Sequence, residues 1–122
     1  MPRFILAPSA ASDVESILAR SFEEFGAEAA RRYEALLVRA IADVAANPDR
    51  PGIHVRDEIA RSACTYHLAH SRQNVVRKSM RVKRPRHFLL FRVGDCGVIE
   101  IARVLHDSMD LPRHLPPELL SE

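Results

Sequence analysis

The chain has 122 residues, 18 Lys and Arg against 16 Asp and Glu, and two cysteines, for a formal net charge of +2. That length fits one modest core, read here as one domain over residues 1–122, and two thiols are too few for a disulfide framework. No run approaches the roughly 18 consecutive apolar residues of a membrane span, and the early prolines interrupt any secretory leader, so the expectation is a cytoplasmic protein with no membrane contact and no cofactor.

Phe4-Ile5-Leu6 reads as a short strand stopped by Pro8. Ser9 is placed to cap a helix whose apolar stripe is Val14, Ile17, Leu18, Phe22 and Phe25, and Gly26 ends it. A second helix carries Ala29, Ala30, Tyr33, Leu36, Leu37, Ala40, Ile41 and Val44 on one stripe, with Glu28, Arg31, Arg32, Glu34, Arg39 and Asp43 toward water, and stops at Asn47-Pro48. With only Gly26 between them, the two helices are expected to form an antiparallel hairpin.

After the turn at Asn47 to Gly52, Ile53 to Ile59 reads as extended. Ala60 to Gln73 fits either a strand through Tyr66 and Leu68 or a helical turn built on Ala60, Cys64 and Leu68. Asn74 to Arg86 reads as an exposed loop. The next segment is a β-hairpin: Pro85 to Val93, a turn Gly94-Asp95-Cys96-Gly97, then Val98 onward.

If Val93 faces Val98, one sheet face carries Leu89, Phe91, Val93, Val98, Ala102 and Val104, and the other carries Phe88, Leu90, Ile99, Ile101 and Leu105. Both faces are apolar and require cover. One helical hairpin covers one face. The class expected is therefore α+β: an N-terminal strand and an antiparallel helical hairpin packed on one face of a small, mostly antiparallel sheet, whose second face is left for another chain.

Charge is unevenly spread. Residues 1–58 hold ten acidic and seven basic side chains, whereas Ile59 to Gly94 hold nine basic residues and no carboxylate, an imbalance that attracts an anionic partner. Arg92 and Arg103 are expected beside Leu90 and Ile101, suited to an amphipathic acidic segment, the structural alternative being an ion pair with Glu15 or Glu34. Cys64-x-x-His67-x-x-His70 lacks the further ligands of a metal site, and solvated histidine is the better reading. His106, Asp107 and Asp110 follow the last strand, where a sheet end meets a loop and functional groups gather. No nucleophile with its base is evident.

The segment Leu6-Ala7-Pro8-Ser9-Ala10-Ala11-Ser12-Asp13-Val14-Glu15-Ser16-Ile17, the Asn47-Pro48 stop with Pro51-Gly52, and Pro85 to Asp110, above all Arg103-Val104-Leu105-His106-Asp107, resemble a ParE-type toxin of the RelE/ParE superfamily of type II toxin–antitoxin systems. The resemblance implies the same fold and a cognate antitoxin, a ParD-like DNA-binding dimer with an amphipathic tail, which alone would reach operator DNA. The expected antitoxin contacts are Phe88, Leu90, Arg92, Ile101 and Arg103. The expected target contacts are Arg84, Arg86, His106, Asp107 and Asp110.

The ParE branch implies inhibition of DNA gyrase by binding, without catalysis. The RelE branch implies ribosome-dependent mRNA cleavage, for which the tail from Leu111 lacks a Tyr and offers His114 as an acid. The long helical hairpin favours the gyrase reading. A third reading is a non-toxic basic nucleic-acid-binding module.

Overall fold

The computed structural model describes residues 3–108. Strand β1 (Phe4–Leu6) leads into helix α1 (Pro8–Phe25), and α2 (Ala27–Ala46) follows after Gly26. The expected Ser9 cap is not used. Pro8 opens α1 instead, with Ala7 at the cap position, because proline lacks the N–H that a first helical residue leaves unpaired anyway. Gly26 adopts φ +93, which reverses the chain in one residue and also serves as the cap of α2. Strands β2 (Ile53–Val55), β3 (Cys64–His67), β4 (His87–Val93) and β5 (Ile99–His106) complete a five-stranded sheet in the order β1-β5-β4-β3-β2. Only the β1–β5 pair is parallel. The ambiguous stretch resolves as strand β3 followed by a 3-10 segment over Leu68–Asn74.

Leu36, Leu37, Ala40, Ile41 and Val44 of α2 bury against Leu89, Phe91, Ile99, Ile101 and Val104 of the sheet, joined by Val14, Ile17 and Leu18 of α1. Two expectations about the helices change. Phe22 and Phe25, assigned to the buried stripe of α1, are 58% and 73% exposed, and Asp43, assigned to the wet face of α2, is 5% exposed.

The expected hairpin register is corrected at two places. Val93 pairs with Ile99 and not with Val98, because a 3-10 turn over Asp95–Gly97 takes Val98 into the loop, where its carbonyl accepts from Gly94 N–H. This one-residue shift turns Ile99 and Ile101 onto the helix-facing side. Farther on, Leu90 opposes Arg103 while Phe91 opposes Ile101, so Ala102 is an extra, bulged residue. The bulge restores the expected faces for Val104 and Leu105, and Ala102 joins the second face.

The second face is not left open as expected. Leu90, Ala102 and Leu105 are buried together with Ala63, flanked by Ile59, Ala60 and Phe88. Cover comes from the β2–β3 connection, which folds on itself through Arg56 N–H to Ala63 O and Ser62 N–H to the Asp57 carboxylate. Since Ile59, Ala60 and Ala63 lie close in sequence, one short loop supplies the apolar lid that the helices cannot.

Candidate functional site

The start of β4 and the ends of β3 and β5 lie at one end of the sheet. Antiparallel pairing puts His87 opposite His106 and Phe88 opposite both Leu105 and His67. Asp107 sits just past β5 at the centre of a polar cluster. It accepts from Arg86 through Nε and Nη2 at 3.0–3.2 Å and contacts His67 Nε2 at 3.1 Å. His67 Nδ1 accepts from Ala69 N–H, so the ring proton resides on Nε2 and His67 is the donor to Asp107. The Arg86 and His67 hydrogen bonds hold the Asp107 carboxyl below its ordinary range despite some desolvation.

Tyr33 reaches the same end from α2. Its hydroxyl accepts from Arg86 N–H at 3.2 Å and lies 2.5 Å from His87 Nδ1. With one partner already donating to it, the phenol gives its own proton to Nδ1, which leaves the His87 proton on Nε2. Burial, reinforced by neighbouring His106, pushes His87 down to about 4, and burial raises Tyr33 above its ordinary value. The His87 ring meets both Tyr33 and His106 edge-on, at 5.4 and 5.3 Å between centroids. His106 Nδ1 is engaged by Ser108 through N–H and Oγ. The cluster thus joins α2, β3, β4 and β5 through side-chain hydrogen bonds and ring contacts.

Of the expected target contacts, Arg86, His106 and Asp107 come together here. Arg84 is exposed two residues before Arg86, and Asp110, with His114, lies outside the described residues. Tyr33, His67 and His87 were not singled out for this end of the sheet. Tyr33 looked like one more stripe residue of α2, and only the docking of α2 on the sheet brings it to His87. Cys64, His67 and His70 do not converge: His67 faces Asp107, while the His70 ring lies beside Tyr66 at 5.5 Å.

The expected antitoxin contacts are placed differently. Leu90 and Ile101 are 0% exposed, on opposite sides of the sheet, and Phe88 is half-buried. Arg92 bonds Glu100 at 3.0 Å. Arg103 holds the carboxylate of Asp13 through Nε and Nη2 at 2.7 and 2.8 Å, while the same Asp13 accepts from Val104 N–H. Both arginines therefore have carboxylate partners within the chain, Glu100 and Asp13, which are not the Glu15 and Glu34 considered from sequence.

A second polar centre surrounds Asp43. Its carboxylate accepts from Arg39 Nε and Nη2 at 2.9 and 2.6 Å, from Ser71 Oγ at 2.6 Å and from Asn74 Nδ2 at 2.9 Å, with Arg50 Nη1 at 3.3 Å. Ser71 spends its single proton on Asp43, so the Tyr66 hydroxyl donates to Ser71 Oγ at 2.7 Å. The burial that raises this carboxyl is outweighed by these hydrogen bonds, which leave it below its ordinary value. This centre joins α2 to the 3-10 segment.

A helical hairpin laid on a five-stranded sheet, with the first strand parallel to the last, defines an α+β protein of RelE/ParE-like architecture. Among the described residues no helix is long and apolar enough to cross a membrane. Residues 4–111 match the family model described as ParE toxin of type II toxin-antitoxin system, parDE, and the chain belongs to that family. It is similar to Toxin ParE1 of Mycobacterium tuberculosis strains CDC 1551 / Oshkosh and ATCC 25618 / H37Rv. Each is 32% identical over 114 residues, covering 93% of this chain and 97% of the relative.

Proposed function

We propose that this member of the ParE toxin family arrests growth in the cytoplasm by binding DNA gyrase, without catalysis of its own, and that a ParD-like antitoxin neutralises it. The observation that carries the reading is the family match across residues 4–111. The chemistry at the sheet end supports binding over RNA cleavage. A base for a 2′-hydroxyl works best with a pKa near neutrality, whereas His87 sits at about 4 and Tyr33 is raised. His67 and His106 are each engaged at Nδ1.

Target contact is assigned to Arg86, His106 and Asp107, the expected residues that meet at this end. With Leu90 and Ile101 buried, the antitoxin's amphipathic tail is assigned to the exposed apolar side chains instead: Phe4 and Ile5 on edge strand β1, and Phe22 and Phe25 near the end of α1.

Expression of the chain alone should stop bacterial growth, and co-expression of the antitoxin should restore it. The purified protein should inhibit supercoiling by gyrase and leave ribosome-bound mRNA intact. Cleavage of that mRNA with gyrase unaffected would transfer the protein to the ribonuclease reading.

A further inference from the structure

The loop between the 3-10 segment at Leu68–Asn74 and strand β4 carries the densest positive charge of the chain, and it is built rather than loose. Arg81 donates through Nε to Val75 O and through Nη2 to Gln73 O, both at 2.9 Å, and Arg72 Nε donates to Val82 O at 2.6 Å. Val75 is buried, and Met80 and Val82 pack against the helix-side core. Two arginines are thus consumed in bracing the loop. Arg77, Lys78, Lys83 and Arg84 are left exposed upon it, and none has a carboxylate partner among the described residues.

We infer that this loop is a second binding surface of the toxin, one that grips the phosphate backbone of duplex DNA through Arg77, Lys78, Lys83 and Arg84. Three observations select that ligand. Four unneutralised cations on a braced scaffold fit a regular polyanion, whose affinity comes from charge neutralisation and counterion release. Residues 75–86 contain no aromatic side chain on which unpaired bases would stack, so single-stranded nucleic acid is a poorer match. An amphipathic acidic peptide would need apolar anchors, and within this loop only Val76 is a large exposed apolar residue, whereas the exposed Phe22, Phe25, Phe4 and Ile5 belong to other elements. The inference deepens the gyrase reading and rests on it for its meaning in the cell, because gyrase works on DNA that a bound toxin would then also touch.

The test uses the whole chain and a fluorescent mixed-sequence DNA duplex, with no gyrase present. Neutralising about four phosphates gives a slope of roughly −3.6 in log affinity against log salt, a loss of roughly 150-fold between about 50 and about 200 mM. The combined variant Arg77→Gln, Lys78→Gln, Lys83→Gln, Arg84→Gln should lose nearly all of that slope while melting at the parent temperature. The control Arg20→Gln, Arg31→Gln on the helices should bind like the parent. Undetectable duplex binding by the parent overturns the inference, as does parent-like binding by the quadruple variant. So does tighter binding to single-stranded RNA, or to polyglutamate, than to the duplex. In a separate supercoiling assay, a parent chain that binds the duplex yet leaves gyrase active would count against the proposed function alone.

Discussion

Replacing Asp43 by alanine removes the acceptor shared by Arg39, Arg50, Ser71 and Asn74. Ser71 is fully buried, so its hydroxyl cannot turn to water for compensation, while Arg39 and Arg50 keep part of their side chains in solvent. Leaving buried donors without their acceptor costs about 1–3 kcal/mol. Against a total stability of about 5–15 kcal/mol that is a sizeable share, and at this chain length it lowers Tm by roughly 4–12 °C.

Asp43→Asn keeps the shape and one acceptor oxygen, and should lose about half as much. The carboxyl is held below its ordinary value in the folded state, so its contribution is complete above the unfolded-state pKa of about 4 and disappears as pH falls through the lower, folded value. Urea unfolding followed by circular dichroism at neutral pH is the assay, with the exposed Asp49→Ala as the neutral control. A loss below about 1 kcal/mol for Asp43→Ala would refute the idea that this network ties α2 to the 3-10 segment.

His87 gives a second pH signature. Its pKa drops to about 4 on folding, so the unfolded chain binds the extra proton between about 6.5 and about 4, and stability falls as pH decreases across that window by up to about 3 kcal/mol. His87→Gln should flatten that part of the stability profile measured by urea titration, and an unchanged profile would place the titration elsewhere. Leu90→Ala should cost about 2–5 kcal/mol in the isolated chain, because Leu90 is enclosed by Ala63, Ala102 and Leu105; unchanged denaturation would mean that the β2–β3 loop does not close the second face.

Local rules carried most of the architecture. Helical periodicity, a glycine able to take positive φ at position 26, and the Asn47-Pro48 stop are properties of neighbouring residues, so both helices and their antiparallel hairpin could be read directly, as could β1, β4 and β5 from their β-branched and aromatic runs. What depended on residues distant in sequence could not. The faces of β5 are decided by a 3-10 turn that sets Ile99 and Ile101 and a bulge that sets Val104 and Leu105, each worth one residue, in a strand apolar on both sides whose pattern is nearly indifferent to such a slip.

Asp43 looked like a surface residue because its i,i+4 partner Arg39 is one. Its burial is imposed by Ser71 and Asn74, about thirty residues away, which supply the hydrogen bonds that make an interior carboxylate tolerable. Tyr33 and His87, or Asp107 and His67, share no sequence pattern either. Strand pairing and the docking of α2 bring them together, and only there do burial and hydrogen bonding separate the groups committed to holding the fold from the cations left exposed.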